Sequence, residues 1–201
     1  MKDLSGFTLL PGRLDPSAQA ALVDAVLTAA RTAPFHHQVT PGGKAMSVEM
    51  TGLGPLSWVT DARGYRYEAR HPLTGEPWPP MPPVLQALWA ELADPAVPAD
   101  ACLVNLYREG ARMGPHRDQD EADFGFPVLS VSLGDTAVFR LGGLKRTDPT
   151  RSVRLASGDV CLLAGESRLA FHGVDRILAG SSRLVPGGGR INLTLRRARP
   201  A

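Results

Sequence analysis

The chain has 201 residues, 43% of them hydrophobic, which is enough for one domain with its own core. Its 21 glycines and 18 prolines favour a turn-rich, mainly β fold over a helix bundle. Cys102 and Cys161 lie in apolar runs, which excludes a disulfide framework and predicts buried thiols in a reducing compartment. No run approaches about 18 apolar residues and the N-terminus lacks a signal pattern, so we expect a cytoplasmic protein.

The net charge of +2 is unevenly distributed along the chain. From Phe139 onward, twelve Lys and Arg stand against four Asp and Glu, a net of +8, whereas the first 138 residues carry −6. Nearly all the basic residues are arginines, which suit bidentate contacts to phosphate or carboxylate. This asymmetry favours a polyanionic partner met by one face. A solvated basic surface would give the same count.

Two helices are predicted in the N-terminal half. Asp15 and Pro16 are typical of an N-cap and a first helical residue, and the apolar spacing that follows predicts a helix to about Thr32. A second helix begins at Pro82-Pro83 and carries an apolar stripe that includes Trp89, which we interpret as a core residue. Both helices are expected to buttress one face of a β domain.

Residues 40–82 are rich in glycine, proline and aromatic side chains, which predicts loops with short strands. The alternation in residues 64–67 is typical of a short strand or hairpin. Trp58 and Tyr65 belong to an aromatic and basic stretch of the kind that stacks on bases and holds phosphates, although they also suit a covering loop. Trp78 lies between prolines, and we interpret it as a core or cover-loop residue.

From Ala101 the pattern changes to short strands bounded by Gly, Asp or Pro turns. The predicted strands are 102–108, 127–133, 137–141, 153–156, 159–164, 167–171 and 191–197. Such spacing indicates a sandwich or barrel, and a jelly roll can present metal ligands from strands distant in sequence. We predict an α+β, mainly β fold in one domain, residues 1–201. Helices and a cover of loops would occupy the part before about residue 100, and a jelly-roll core the part from about 101.

One residue separates His116 from Asp118, so in an extended strand their side chains leave the same face. One imidazole nitrogen and one carboxylate oxygen could then reach one metal ion, with His172 as the candidate third ligand. Two His and one carboxylate on one side of an ion is the arrangement of non-haem Fe(II) oxygenases. An Asp after a Gly-Pro turn is also ordinary turn chemistry, so the pair by itself does not decide.

The last predicted strand places four polar side chains on one face. They are Arg190, Asn192, Thr194 and Arg196. An inward face of this kind is costly unless it holds an anion, and a dicarboxylate would satisfy it. Asn105 and Tyr107 form a second polar pair at i and i+2 that could complete the pocket. Each of these residues alone could equally face solvent.

Several sequence blocks between about Met46 and Arg197 belong together. They are Asn105-Leu-Tyr, His116-Arg-Asp-Gln-Asp-Glu, Val131-Ser-Leu-Gly, Gly142-Gly-Leu-Lys-Arg, Gly158-Asp-Val, Gly165-Glu-Ser-Arg, His172-Gly and Arg190-Ile-Asn-Leu-Thr-Leu-Arg. They resemble the AlkB-type alkylation-repair dioxygenases, which use Fe(II) and 2-oxoglutarate, and the surroundings of Trp58, Tyr65 and Trp78 match that family's substrate cover. The resemblance covers most of the chain and implies a double-stranded β-helix core.

The resemblance implies roles at the metal and co-substrate. Three residues would hold Fe(II): His116, Asp118 and His172. Arg196 would pair with the distal carboxylate of 2-oxoglutarate. The remaining contacts to this co-substrate would be made by Asn105, Tyr107, Arg190 and Asn192. Leu163 stands where the family's founding member has Trp, which leaves the packing of the co-substrate pocket open.

Further roles are implied at the substrate. Trp58 and the ring of His116 would sandwich a flipped, methylated base, and Asp120 would lie near its exocyclic amine. Tyr65 and Arg146 would contact the nucleic-acid strand.

The implied reaction is oxidative demethylation of N-alkylated bases such as 1-methyladenine and 3-methylcytosine in the repair of DNA alkylation damage. It would consume O2 and 2-oxoglutarate and release formaldehyde, succinate and CO2. The expected partner is nucleic acid, mainly single-stranded DNA with methylated bases, with RNA left open, bound by a monomer away from any membrane. Two alternatives remain: an Fe(II)/2-oxoglutarate oxygenase acting on a protein or small molecule, and a non-enzymatic nucleic-acid-binding module.

Overall fold

The computed structural model describes residues 5–200. Its helices within that range are α1 (Pro16–Ala29), α2 (Pro83–Leu92) and a 3-10 helix (Gly165–Leu169). The strands are β1 (Phe7–Leu10), β2 (His36–Val39), β3 (Ala45–Leu53), β4 (Ser57–Asp61), β5 (Gly64–Glu68), β6 (Ala101–Tyr107), β7 (Met113–His116), β8 (Val128–Gly134), β9 (Thr136–Leu141), β10 (Arg151–Leu155), β11 (Val160–Leu163), β12 (His172–Leu178) and β13 (Arg190–Arg196).

Most of these strands form two antiparallel sheets that face one another. The larger has the order β1-β11-β8-β13-β6-β3-β2 and the smaller the order β10-β9-β12-β7, while β4 and β5 pair separately. An apolar cluster between the sheets joins Met50 and Leu163 of the larger to Phe139 and Val174 of the smaller. The predicted mainly β jelly roll is confirmed.

Helices α1 and α2 cover the outer face of the larger sheet, as predicted. Asp15 caps α1 by accepting a hydrogen bond from the Ala18 backbone N–H at 2.9 Å. Trp89 of α2 is fully buried in the cluster that joins both helices to the sheet. Helix α1 ends at Ala29, slightly before the predicted end near Thr32. Among residues 5–200, no helix has the length and apolar character needed to cross a bilayer.

One face of strand β13 packs against the helices and the other lines a cavity, because successive side chains of a strand point in opposite directions. Its leucines and Ile191 pack in the cluster beneath the helices. Its four polar residues line a cavity between the sheets: Arg190, Asn192, Thr194 and Arg196. Every residue of β13 is buried. The single polar face predicted for this strand is confirmed.

Strands β4 and β5 form a hairpin that lines one side of the same cavity. Its turn is closed at Gly64, whose φ of +103° favours glycine. Arg66 bridges Asp61 and Glu68 along the hairpin. Trp78 is buried and donates its indole N–H to the Glu68 carbonyl at 2.8 Å. The interpretation of Trp78 as a core residue is confirmed, and it anchors the end of the hairpin.

The strand predicted over residues 167–171 is wrong, because this segment begins as the 3-10 helix. The Ser167 hydroxyl donates to the Ala164 carbonyl at 2.9 Å, a local bond that competes with a strand ladder. Arg168 is turned inward and donates to two backbone carbonyls. Apolar content alone could not reveal either bond.

Strand β3 lies in the glycine-rich stretch of residues 40–82 and β2 directly precedes that stretch, and neither is among the predicted strands. Strand β3 pairs along β6, so the chain before residue 100 also supplies strands to the larger sheet. Position 52 of β3 is a glycine because a Cβ there would come within 2.3 Å of the Ser57 side chain. The glycine is therefore required by close packing against β4 and does not mark a loop.

Both cysteines are free and buried, as predicted. Burial raises the pKa of the Cys102 thiol to about 12 and that of the Cys161 thiol to about 11. Both thiols are therefore protonated at neutral pH and act as small apolar groups.

Candidate metal and co-substrate site

Three side chains with metal-ligating atoms meet at one end of the smaller sheet. His116 ends β7 and His172 begins β12, and the two residues are partners in the antiparallel register. Asp118 follows β7 directly; its carboxylate oxygens lie 3.9 Å from His116 Nε2 and 4.0 Å from His172 Nε2. One ligand atom from each residue falls within 4.8 Å of the others. The structure therefore brings the predicted triad together.

Backbone carbonyls orient both imidazoles. The Nδ1 atoms of His116 and His172 each lie 3.0 Å from a carbonyl oxygen, that of Gly114 and of Ala170 respectively. A carbonyl only accepts, so Nδ1 carries the hydrogen and the Nε2 lone pair is left for a metal. Burial, reinforced by the neighbouring His116, lowers the pKa of His172 to about 4. His172 is therefore neutral at pH 7, as a ligand must be.

Asp118 supplies the negative charge of the triad. Burial acts to raise the pKa of its carboxyl, but Arg196 and the two histidines outweigh that effect and hold the pKa well below its usual range. Arg196 Nη2 lies 2.9 Å from Asp118 Oδ2. Two imidazole nitrogens and one carboxylate are the donors that Fe(II) takes in non-haem oxygenases, so these residues fit that ion.

Arg196, the residue expected to pair with the distal carboxylate of 2-oxoglutarate, already contacts two carboxylates of this chain. Its guanidinium is shared between Asp118, at 2.9 Å, and Glu121, at 3.3 Å, so it lies beside the metal ligands. Arg190, at the opposite end of β13, is 1% exposed and donates Nη2 to Ser132 Oγ at 3.0 Å. Its Nε and Nη1 have no hydrogen-bond partner among the described residues. A buried guanidinium with two donors that no described residue engages has the chemistry to bind a carboxylate.

The other residues expected at the co-substrate surround Arg190. The Tyr107 ring lies under its guanidinium, 5.3 Å from centroid to Cζ. Asn192 donates to Ser130 Oγ at 2.7 Å, and the Oδ1 atom of Asn105 is buried without a partner in the described chain. We call these residues, with the triad, the cavity floor: Asn105, Tyr107, His116, Asp118, His172, Arg190 and Asn192. The cavity measures about 410 Å³.

Leu163 lies in the apolar wall of this cavity. It is buried beside Leu155 and Phe139 in the cluster between the sheets. Aliphatic and phenyl groups thus close the wall at Leu163, the position where the founding member of the family has Trp.

The four residues expected to meet the substrate lie around the opening. The rings of Trp58 and Tyr65 are stacked, with centroids 5.5 Å apart and planes 15° from parallel. Trp58 Nε1 donates to Asp120 Oδ2 at 2.7 Å. Tyr65 is 52% exposed, and Arg146 is also exposed. Together with Arg117, these residues form what we call the cavity mouth: Trp58, Tyr65, Arg117, Asp120 and Arg146.

Arg117 is a residue of the mouth that the sequence did not single out. Its guanidinium and that of Arg146 each lie 5.4 Å from the centroid of the Phe171 ring. Within residues 5–200, no carboxylate forms an ion pair with either arginine. The only sequence signal was the position of Arg117 between two metal ligands, where an exposed cation must lie close to the opening.

Comparison with known proteins places these features in context. The model of the 2OG-Fe(II) oxygenase superfamily matches residues 6–196. The chain is 70% identical to the alpha-ketoglutarate-dependent dioxygenase AlkB homolog of Caulobacter vibrioides, over 98% of this chain and 89% of that protein. It is 43% identical to the alpha-ketoglutarate-dependent dioxygenase AlkB of Escherichia coli, over 90% and 86% of the two chains. The solved structure of OsALKBH1 matches with a TM-score of 0.82 at 29% identity, over 98% of this chain and all of that one.

Proposed function

Because this chain belongs to the 2OG-Fe(II) oxygenase superfamily, we propose that it demethylates N-alkylated bases in nucleic acid and so repairs alkylation damage. The chain is an Fe(II)- and 2-oxoglutarate-dependent dioxygenase, like its AlkB relatives. One observation carries the choice of substrate. The cavity lined by the triad and Arg190 is also lined by the stacked Trp58–Tyr65 pair and by two arginines that no carboxylate of residues 5–200 pairs with.

Residues of the floor would hold the metal and co-substrate. His116, Asp118 and His172 would ligate Fe(II), which supplies the oxidation of a methyl C–H bond by O2 while 2-oxoglutarate becomes succinate and CO2. Arg190 would receive the distal carboxylate on its two free donors, with Ser132 holding the third nitrogen. Asn105, Tyr107 and Asn192 would complete the walls around that carboxylate.

Residues of the mouth would select the base. A 1-methyladenine or 3-methylcytosine carries a positive charge, which the Trp58 ring and the Asp120 carboxylate favour over a neutral base. The bond from Trp58 to Asp120 holds the indole in place, and the Trp58 and His116 rings, which both line the cavity, would sandwich the base. The damaged base cannot pair normally, so its extrusion costs less than that of an intact base. Hydroxylation of its methyl group leaves an N-hydroxymethyl adduct, which releases formaldehyde and restores the base.

Arg117 and Arg146 would hold phosphates beside the extruded base. Their guanidinium planes are spread over Phe171, next to His172, so both charges stand at the rim. Contacts of this kind bind backbone without reading sequence and are easiest on a flexible single strand. Single-stranded DNA is therefore the proposed main substrate, with RNA as the alternative, for a monomer in the cytoplasm.

A panel of oligonucleotides tests this function. Each would carry one 1-methyladenine, 3-methylcytosine or neutral methylated base, in DNA or RNA, and mass spectrometry would report loss of the methyl group. We expect the two cationic lesions to react and the neutral lesion to react slowly. Asp118→Ala should reduce turnover by at least about 100-fold, because it removes a ligand. Full activity in this variant would contradict the metal assignment.

The rival substrate class is a protein or small molecule. The aromatic and basic mouth speaks against it, because these side chains match the faces and phosphates of nucleic acid. Succinate formed with a peptide but not with a methylated oligonucleotide would favour this rival. Absence of 2-oxoglutarate-dependent succinate under all conditions would favour the non-enzymatic binding module.

A further inference from the structure

Two buried charged residues that have no role in the site above lie directly behind Asp118. They are Glu121, with its side chain 2% exposed, and Arg168, with its side chain 3% exposed. Arg168 Nη2 donates to Glu121 Oε2 at 3.0 Å, and its Nη1 donates to the Asp118 carbonyl at 2.8 Å. Its Nε donates to the Phe126 carbonyl at 2.8 Å. Arg168 therefore fixes the backbone of a metal ligand and the carboxylate of Glu121 together.

Glu121 also takes part of the charge of Arg196. The guanidinium of Arg196 contacts Asp118 Oδ2 through Nη2 at 2.9 Å and Glu121 Oε1 through Nε at 3.3 Å. Two arginines thus face two carboxylates, all four with buried side chains, and Asp118, Glu121 and Arg196 also line the cavity. Without the Glu121 charge, both guanidiniums would be left to Asp118, the one carboxylate of the triad. The positive charges of Arg168 and Arg196 would then act on the Asp118 carboxylate alone and would oppose its binding of a metal ion.

The same carboxylate reaches the hairpin that carries the mouth. The Tyr67 hydroxyl of β5 donates to Glu121 Oε1. Tyr67 is the register partner of Trp58 in β4, and Trp58 stacks on Tyr65. The β4–β5 hairpin has two side-chain hydrogen bonds to the loop that follows β7, from Trp58 to Asp120 and from Tyr67 to Glu121. The second of them reaches the buried carboxylate behind the metal ligands.

We propose that Glu121 is a positioning residue that balances the charge behind Asp118 for metal binding and ties the β4–β5 hairpin to the metal site. The proposal rests on the metal site of the proposed function but not on its nucleic-acid substrate. Metal affinity should therefore depend on the Glu121 charge, and metal binding should restrain the hairpin through Tyr67. The two effects are reciprocal. If metal binding restrains the hairpin, then a restrained hairpin must bind the metal more tightly.

The first test compares Glu121→Gln with a matched control, Asp100→Asn. Asp100 is another buried carboxylate, 4% exposed on its side chain, held by Arg199 at 3.0 Å and Arg197 at 3.5 Å, and it does not line the cavity. Both changes remove one buried negative charge and should lower thermal stability. Co²⁺ added without nucleic acid gives the dissociation constant by calorimetry. We expect about a 10- to 100-fold rise for Glu121→Gln and less than about a twofold change for Asp100→Asn.

The second test uses Tyr67→Phe, which removes only one hydroxyl and so keeps the idea testable if Glu121→Gln does not fold. Hydrogen–deuterium exchange would be followed in the hairpin amides, residues 57–68, with and without Co²⁺. In the unmodified chain, Co²⁺ should slow that exchange. In Tyr67→Phe the slowing should be diminished, while exchange in strands β9 and β12 should respond to Co²⁺ as before.

Clear outcomes overturn the proposal. They are a Co²⁺ dissociation constant for Glu121→Gln within about fivefold of the unmodified chain, an equal weakening by Asp100→Asn, or undiminished slowing in Tyr67→Phe. None of these measurements contains an oligonucleotide. A chain that failed to demethylate any base could therefore still support the role of Glu121, and an active demethylase could still refute it.

Discussion

The floor of the cavity and its mouth differ in what holds their side chains. Floor residues such as Arg190 and Asn192 lie on a buried strand paired on both sides, so the register of the larger sheet fixes each one. Mouth residues such as Trp58 and Asp120 belong to a two-stranded hairpin and a loop, and their side chains are held by a hydrogen bond between them and by the stack of Trp58 on Tyr65. The floor is therefore suited to an unchanging co-substrate and metal, and the mouth to choosing a bulky partner that must enter and leave.

The largest effect that would separate the two regions is expected at Arg190. Arg190→Gln removes a buried charge whose two free donors face the proposed carboxylate site, so KM for 2-oxoglutarate should rise by at least about 100-fold. The dissociation constant of a methylated oligonucleotide should stay unchanged. Steady-state succinate formation measures the first quantity and fluorescence anisotropy the second. Arg176→Gln, at an exposed arginine, is the control, and an unchanged KM in Arg190→Gln would return the contact to Arg196.

A smaller and opposite effect is expected at Trp58. Trp58→Ala removes a stacking surface for one base, which is worth about 1–3 kcal/mol, or roughly a 10- to 100-fold rise in KM for the oligonucleotide. Succinate formation without substrate should continue, because no floor residue has changed. Trp58→Phe keeps a ring and should recover part of the loss. Equal loss of both activities in Trp58→Ala would show that the mouth and the floor do not act separately.

A still smaller effect is expected at the two arginines over Phe171. Arg117→Ala and Arg146→Ala should each weaken single-strand binding several-fold and reduce the slope of log K against log salt by about 0.7 per phosphate contact. The loss should be the same for every sequence, because the contacts do not involve bases. A salt titration by anisotropy measures it, with the exposed Arg31→Ala as control. Unchanged slopes would remove both arginines from the strand path.

No effect on turnover is expected from thiol reagents at pH 8, even though Cys161 lines the cavity. Its pKa of about 11, and that of about 12 for Cys102, keep both thiols protonated. Iodoacetamide should label neither in the native chain and both in urea, where their pKa returns to the usual 9.0. Because burial raises these pKa values, native stability should fall as pH rises above 9 toward 11. Rapid native labelling at pH 8 would contradict the burial.

Strand periodicity made the floor predictable from the sequence. Residues two apart on β13 share a face, so the sequence predicts its polar face. Strand spacing also predicts the pair His116–Asp118, although β7 ends at His116 and Asp118 lies just beyond it. The sequence does not predict which end of β13 lies beside the metal ligands, because Arg190 and Arg196 are equivalent in the alternation of polar residues. Only the register with β6 and β8 separates them.

Long-range side-chain contacts made other features unpredictable. Glu121 resembles any acidic loop residue in the sequence, and only the fold brings Arg168 and Tyr67 to it. The strand predicted at residues 167–171 failed for a similar reason, since Arg168 turns inward toward residues distant in the chain. Gly52 makes β3 look like a loop in the sequence, because the clash that excludes a Cβ at this position is with Ser57 of another strand.

The central claim is that oxidation at the floor acts on a methyl group held at the mouth. The most direct test supplies a single-stranded oligonucleotide with one 3-methylcytosine, Fe(II), 2-oxoglutarate and O2, and counts formaldehyde and succinate together. We expect one formaldehyde for each succinate above the rate without substrate, with unmodified cytosine as the product. Succinate without formaldehyde, and an oligonucleotide of unchanged mass, would contradict it.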